Sequence, residues 1–208
     1  MKPIETDDLK ISFDMKTCIH ARKCWLGLPQ VFDPSQRPWI QPQSASTAEI
    51  VATIEACPSG ALSYERKGAP ETPPPVNTVR LWENGPLELR GDLQLPGEDP
   101  QTRAVLCRCG KTGNPPYCDN SHRDGFAATG LPAEQESEEL ESTGGALEIK
   151  AFEDGPIAVK GNVEVIGSDG RRVARKTKAF FCRCGASGDK PFCDGSHKDA
   201  GFKKAAKA

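Results

Sequence analysis

Two copies of one cysteine–histidine motif constrain this 208-residue chain more than any other feature. Each copy has the spacing Cys-x-Cys-x8-Cys-x3-His, and the copies span residues 107–122 and 182–197. Thiolates and imidazoles at such spacing are typical ligands of zinc and of iron-sulfur clusters. The sequence therefore predicts two metal sites of one kind, whose candidate ligands are Cys107, Cys109, Cys118 and His122 in the first copy and Cys182, Cys184, Cys193 and His197 in the second.

The composition favours small modules over one large core. Hydrophobic residues make up 37% of the chain, which also has 18 prolines, 20 glycines and nine cysteines. Loop-rich modules of this kind need metals or disulfides as staples. The polar amino terminus and the lack of a long apolar run predict a soluble, cytoplasmic protein with no membrane contact. In that reducing compartment an odd number of cysteines favours metal ligation. A net charge of -2 without a large basic patch argues against nucleic acid as a partner.

Two composition breaks divide the chain into three segments with three cysteines each. A proline-rich stretch at 68–75 and an acidic stretch at 131–145 are predicted linkers. The predicted domains are therefore 1–67, 76–130 and 146–208.

The second and third segments are copies of each other. Residues 82–91 match residues 152–161 at an offset of 70 residues, while the first cysteines of the two motifs are 75 apart. In each copy an Asn-Gly or Asp-Gly turn precedes alternating apolar residues, which predicts antiparallel strands. A sheet of one copy alone is marginally stable, so we expect the copies to pack together as a pseudo-dimer within a monomeric chain.

The first segment has a different pattern. Alternating apolar residues over 9–15 predict a strand, and Ser46 with Glu49 forms a capping-box signature for a helix that ends before Pro58. Residues 61–64 predict a returning strand. The fold class we expect is α+β: an amino-terminal ferredoxin-like β-α-β module followed by two small β-rich domains.

The motif copies end in Cys-Asp-Asn-Ser-His at 118–122 and Cys-Asp-Gly-Ser-His at 193–197. Over residues 76–130 and 146–203 the chain resembles the CDGSH, or mitoNEET-like, iron-sulfur family. The resemblance implies one 2Fe-2S cluster in each copy, held by the Cys3His sets named above, and a β-cap shared by two cluster-binding lobes. Asn120 replaces a motif glycine, and asparagine tolerates left-handed backbone well.

The alternative interpretation of a Cys3His set is structural zinc, although Cys-x-Cys is unusual in zinc sites. Three thiolates and a neutral imidazole carry one negative charge fewer than four thiolates, so a cluster held this way should be easier to reduce. Protonation of the imidazole would release it from iron and make the cluster labile.

Four further residues stand at matching positions of the two motifs. Arg108 and Arg183 lie inside Cys-x-Cys, where they either offset cluster charge, contact a partner or are simply exposed. Asp119 and Asp194 are predicted helix N-caps, with the cysteine and histidine four residues apart on one helix face.

The amino-terminal segment contains a third candidate site of three cysteines, Cys18, Cys24 and Cys57. Over residues 8–66 it resembles single-cluster bacterial ferredoxins, with Ala21 where those proteins have a middle cysteine. Three thiolates suit a 3Fe-4S cluster. A 4Fe-4S cluster would need a fourth ligand, for which His20 is the nearby candidate, one residue out of register; an exposed loop histidine is the alternative.

Together these patterns predict an electron-transfer protein whose partners are redox proteins. The alternative is a protein that transfers or repairs clusters on apo-acceptors, or senses redox state. We expect no enzymatic activity, because the sequence has no recognisable paired carboxylates, nucleophile elbow or phosphate-binding loop.

Overall fold

The computed structural model describes residues 2–206 and is mostly β, with a few short helices. It divides into two compact units, one ending at Thr72 and the other beginning at Pro73. Each unit has its own sheet and its own hydrophobic core. Among the helices of residues 2–206, none has the length and hydrophobicity needed to cross a bilayer.

The amino-terminal unit is built on a four-stranded sheet with the order β1-β2-β3-β4. Its strands are β1 (Ile4–Glu5), β2 (Leu9–Phe13), β3 (Leu62–Arg66) and β4 (Ala69–Pro70). Between β2 and β3 the chain forms helix α1 (Lys23–Gly27), a 3-10 turn (Pro42–Ser44) and helix α2 (Thr47–Glu55). All neighbouring strands are antiparallel, so β2 and β3 pair directly, with Phe13 opposite Leu62.

Helix α2 begins where the capping box predicts. The Ser46 hydroxyl accepts a hydrogen bond from the Glu49 backbone N–H, and the Glu49 carboxylate accepts one from the Ser46 backbone N–H at 2.9 Å. Ile50 and Ile54, one turn apart, are buried in the core of the unit. The helix, its cap and its inward face are confirmed. The strand predicted over 9–15 is shorter and ends at Phe13.

The second unit contains three strands from each copy of the repeat. They are β5 (Thr78–Leu81), β6 (Leu87–Gln94) and β7 (Gln101–Leu106) from the first copy, and β8 (Ala146–Ala151), β9 (Ile157–Ile166) and β10 (Arg172–Phe181) from the second. Within each copy, consecutive strands pair antiparallel. The tandem β-rich segments are therefore confirmed.

The two copies also exchange strand pairings. β5 of the first copy runs parallel to β9 of the second, with Val79 opposite Val165. Reciprocally, β8 of the second copy runs parallel to β6 of the first, with Leu147 opposite Leu93. All four of these side chains are fully buried in one cluster, so residues of both copies form a single core.

The acidic stretch at 131–145 is not a free spacer along its whole length. The backbone N–H of Gln135 donates to the Val173 carbonyl at 2.8 Å, and that of Glu138 donates to the Arg175 carbonyl at 3.0 Å. The Glu138 carboxylate accepts hydrogen bonds from the side chain and backbone N–H of Thr177, which lower its pKa. The segment thereby covers part of the edge of β10, a position where unpaired backbone groups invite unwanted pairing.

Candidate metal centres

In the first copy the motif folds back on the end of β7. The Cys107 backbone N–H donates to the Pro116 carbonyl at 2.8 Å, and the Cys118 backbone N–H donates to the Val105 carbonyl at 2.9 Å. These bonds bring the second half of the motif beside the first. The Sγ atoms of Cys107 and Cys109 are 3.6 Å apart, and Cys118 Sγ lies 3.4 Å from Nδ1 of His122.

The second copy repeats this arrangement at the end of β10. Cys182 and Cys193 make the corresponding backbone bonds to the carbonyls of Pro191 and Phe180, both at 2.8 Å. The Cys182 and Cys184 Sγ atoms are 3.7 Å apart, and Cys193 Sγ lies 3.4 Å from Nδ1 of His197. In both copies the predicted ligands therefore form a thiol–thiol pair and a thiol–imidazole pair.

The pair distances match those of two ligands on one tetrahedral metal ion. With metal–sulfur bonds of about 2.3 Å, two ligands of a tetrahedral ion lie about 3.7 Å apart. Within residues 2–206 no three His, Cys, Asp or Glu side chains converge on a point suited to a single ion. Each pair therefore has the spacing of two ligands of one metal ion.

The two motif aspartates close the loops and do not cap helices. Asp119 accepts hydrogen bonds from the Ser121 backbone N–H and hydroxyl and from the Gly113 backbone N–H at 2.7 Å. Asp194 makes the same three bonds, to Ser196 and Gly188. The carboxylate of each copy ties the middle of its motif to the segment before the histidine.

The predicted cysteine–histidine helix is wrong in both copies. Only a 3-10 turn, Ser121–Arg123, forms in the first copy, and residues 193–197 of the second form no helix. The cause is the residue after each aspartate: Asn120 and Gly195 have left-handed backbones, with φ of 74° and 93°, which no right-handed helix continues. The interpretation of Asn120 as a substitute for a left-handed glycine is confirmed.

Arg108, which lies between two ligand cysteines, is buried, with 1% of its surface exposed. Its guanidinium donates hydrogen bonds to four main-chain carbonyls at 2.6–3.0 Å, those of Trp82, Gly85, Ala128 and Thr129. It thereby joins the turn before β6 to the segment that follows the histidine.

Arg183 is buried to the same degree and repeats the role in the second copy. Its carbonyl partners are those of Phe152, Gly155, Lys204 and Ala205. The interpretation of either arginine as an exposed side chain is wrong. The sequence signal that could have revealed this role is the repetition of both the arginine and its acceptor glycine, Gly85 or Gly155, in the two copies.

Each buried arginine also lies within electrostatic reach of the other copy. Burial lowers the pKa of Arg108 to about 10, and a Cys182 thiolate opposes that change. Burial likewise lowers the pKa of Arg183, opposed by a Cys107 thiolate. Each guanidinium therefore interacts electrostatically with the first candidate ligand cysteine of the opposite copy.

The motif loops of the two copies, one containing Gly110 and the other containing Gly185, touch through their backbones. We call them the cluster loops. A Cβ atom placed on Gly110 would lie 2.6 Å from the Cys184 carbonyl oxygen, and one on Gly185 would lie 2.8 Å from the Cys109 carbonyl oxygen. Both glycines have φ near 80°. No other residue type fits there without moving the opposite loop.

The surroundings of the first site shift the pKa values of its candidate donors in different directions. Hydrogen bonds from the Cys109 thiol and nearby backbone N–H groups lower the pKa of Cys107 to about 6, whereas burial raises the pKa of Cys118 to about 11. Burial, together with Arg123, lowers the pKa of His122, which favours the neutral imidazole that a metal requires.

The two sites differ in exposure. Cys109 and Cys118 are buried in the first site, whereas the matching Cys184 and Cys193 are half-buried. The second site is the more accessible of the two.

The amino-terminal unit brings its three cysteines to one cleft of about 930 Å³, lined by Cys18, Cys24 and Cys57 among others. Burial raises the pKa values of Cys18 and Cys24, and a Cys57 thiolate raises them further. Ala21 and His20 also line the cleft. His20 is exposed, has a left-handed backbone, and donates its backbone N–H to Cys18 Sγ at 3.4 Å.

Three groups of thiols, two of them with an imidazole, mark the chain as an iron-sulfur binding protein, and the comparisons with known proteins agree. Residues 4–67 match the family described as a divergent 4Fe-4S mono-cluster, and residues 84–123 and 154–198 match the iron-binding zinc finger of CDGSH type. The chain therefore contains a divergent 4Fe-4S mono-cluster domain followed by two CDGSH-type iron-binding segments. The resemblances of both parts are thus confirmed.

The chain also has curated relatives. It is 34% identical over 61 residues to the uncharacterized protein YjdI of Escherichia coli K12 and, to the same extent, of Escherichia coli O157:H7. The match covers 29% of this chain and 80% of each relative.

Proposed function

We propose that the chain is an electron carrier with a 2Fe-2S cluster in each Cys3His site and a ferredoxin-type cluster in the amino-terminal unit. The observation that carries the proposal is the division of each Cys3His set into two pairs, at 3.6 and 3.4 Å in the first copy and at 3.7 and 3.4 Å in the second. Each pair would hold one iron of a 2Fe-2S cluster, and the cluster would supply one-electron redox chemistry.

The second unit is suited to electron transfer because its two sites lie close together. The loops that hold them are in backbone contact at Gly110 and Gly185, and each site has an arginine of the other copy within electrostatic reach. A histidine in place of one thiolate raises the reduction potential of each cluster. We therefore propose one two-cluster lobe, a pseudo-dimer within the chain, and a monomeric protein.

The amino-terminal cluster is proposed to be 4Fe-4S. The family match over residues 4–67 bears that description, and three of the cluster's four outside ligands would be Cys18, Cys24 and Cys57, which line one cleft.

Iron and sulfide analysis with EPR spectroscopy tests the proposal. We expect about eight irons per chain, with two 2Fe-2S signals and one four-iron signal after reduction. Cys57→Ala should remove the four-iron signal alone, and Cys182→Ala should remove one 2Fe-2S signal alone. A colourless protein that contains stoichiometric zinc would contradict the proposal.

A second candidate function, delivery of a cluster to an apo-acceptor, is favoured by the unequal exposure of the two sites. The half-buried Cys184 and Cys193 make the second site the donor in that case. A transfer assay with an apo-ferredoxin as acceptor distinguishes the sites: His197→Cys should slow transfer and His122→Cys should not. Equal transfer by the wild type and both variants would leave electron transfer as the function.

A further inference from the structure

The cleft of the amino-terminal unit is lined by three cysteines, one fewer than the ligands that a 4Fe-4S cluster needs. A 4Fe-4S cluster has four irons, and each needs one ligand from outside the cluster. Cys18 and Cys24 flank a loop whose middle position, Ala21, is three residues from each of them, and Ala21 lines the cleft. A methyl group cannot bind iron, so this loop supplies two ligands where the ferredoxin pattern has three.

The side chains of the cleft besides cysteine that could bind iron are Ser59 and His20. Ser59 is buried. Its hydroxyl accepts a hydrogen bond from the Ala61 backbone N–H at 3.4 Å and lies 3.8 Å from Cys57 Sγ. His20 is exposed and has a left-handed backbone. Its backbone N–H donates a hydrogen bond to Cys18 Sγ at 3.4 Å. Among the residues within 2–206 that line the cleft, none is an aspartate or glutamate.

The charges of the cleft select for anions. Arg22, Lys23 and Arg37 line it. The Arg37 guanidinium is held in place by bonds to the carbonyls of Pro34 and Gln36, at 2.9 and 2.6 Å. A cluster with three thiolates carries only a small net negative charge, so three cations exceed what the cluster itself requires. Arginine at the edge of a cleft is the residue type best suited to bind a carboxylate.

Aromatic side chains give the cleft a rigid wall. Trp39 packs edge-on against Phe13, with ring centroids 4.8 Å apart, and both line the cleft together with Trp25. Concave sites with apolar walls and a few convergent polar groups are the usual form of small-molecule sites.

We infer that the cleft beside Ala21 binds a small organic polycarboxylate, which supplies the outside ligand that Ala21 cannot. Arg37 and Arg22 or Lys23 would bind the remaining carboxylate groups. The inference rests on the proposed four-iron cluster. It concerns the iron that has no protein ligand because position 21 is an alanine.

A titration with citrate, followed by EPR of the reduced four-iron cluster in the full-length protein, tests the inference. Citrate should shift this signal in a saturable way, whereas sulfate at equal ionic strength should not. Arg37→Gln should weaken the apparent affinity about tenfold or more, as expected for loss of one charge-assisted hydrogen bond. Ala21→Cys, which restores the ferredoxin spacing, should abolish the response, and Ala21→Gly is the matched control that should keep it.

Several outcomes would overturn the inference. One is a wild-type EPR signal that does not respond to citrate, together with a His20→Ala variant whose signal differs from that of the wild type without citrate. The imidazole would then be the fourth ligand. Another is a cluster that contains three irons and does not take up a fourth from added ferrous iron. If instead Cys57→Ala has the same iron content as the wild type, the amino-terminal unit holds no cluster, and the proposed function fails in that unit.

Discussion

Gly110 and Cys184 belong to different copies of the repeat, yet a Cβ on the glycine would lie 2.6 Å from the cysteine's carbonyl oxygen. The contact joins backbone to backbone, so a side chain cannot adjust to relieve it. The conformation of each cluster loop therefore depends on the conformation of the other.

Gly110→Ala should therefore damage the second cluster site as well as the first. Gly125→Ala is the matched control, because Gly125 has a φ of 74° but nothing within 4 Å of its Cβ position. The control should lose about 1–2 kcal/mol from left-handed strain alone. Gly110→Ala should lose more and should lower the iron content of both sites. Thermal unfolding and iron analysis measure the two effects, and equal losses in the two variants would contradict the contact.

Arg108 and Arg183 should be essential for the fold around the clusters. Arg183→Met leaves the carbonyls of Gly155 and Ala205, among others, without their buried donor, and loss of such a charged network costs about 3–5 kcal/mol. The exposed Lys198→Met is the control and should change stability by less than about 0.5 kcal/mol. Chemical denaturation of the cluster-loaded protein provides the measurement. An Arg183→Met variant as stable as the control would show that the carbonyl contacts do not matter.

Replacement of each histidine ligand by cysteine should lower the reduction potential of its own cluster, by roughly 100 mV or more, because the added thiolate makes the centre more negative. His122→Cys and His197→Cys serve as controls for each other, since each should shift one 2Fe-2S signal and leave most of the other in place. Redox titration followed by EPR reports both. If neither variant changes the reduction potential of its own cluster, the imidazoles do not bind iron.

Glu138 should hold the acidic segment on the edge of β10. Hydrogen bonds from Thr177 lower the pKa of this carboxyl, so its contribution is complete above the unfolded value of about 4.3 and is lost as the pH falls through the lower folded value. The protection factors of the Thr177 and Gln135 amides against hydrogen exchange should therefore fall at acid pH. Glu138→Ala should lower these protection factors at neutral pH, and those of the exposed neighbour variant Glu139→Ala should match the wild type.

The repeat, the approach of the paired motif cysteines and helix α2 could be predicted from the sequence because each depends on local spacing. The Ser46 and Glu49 pair lies within one helical turn, and the pairing of Cys107 with Cys109 needs only one intervening residue. Asn120 was predictable for the same reason, since its left-handed backbone is a property of its own position.

What the sequence did not predict depends on distant partners. Arg108 is buried because segments 20 to 26 residues away supply its carbonyl acceptors. The parallel pairing of β5 with β9 joins residues from different copies, and periodicity along either strand contains no information about it. The cysteine–histidine helix was predicted because a spacing of four residues fits a helix, but the left-handed residue between the ligands produces the same approach through a turn.

The joining of both copies in one polypeptide removes a restriction that symmetry places on a homodimer. Two identical subunits must present identical ligand environments, whereas here the copy with buried Cys109 and Cys118 and the copy with half-buried Cys184 and Cys193 can diverge independently. Substitutions of side chains that line only one site need no matching change in the other copy, while the shared sheet preserves the assembly. The fused repeat thus permits the two centres to differ in exposure and in ligand environment, whereas those of a homodimer would be equivalent.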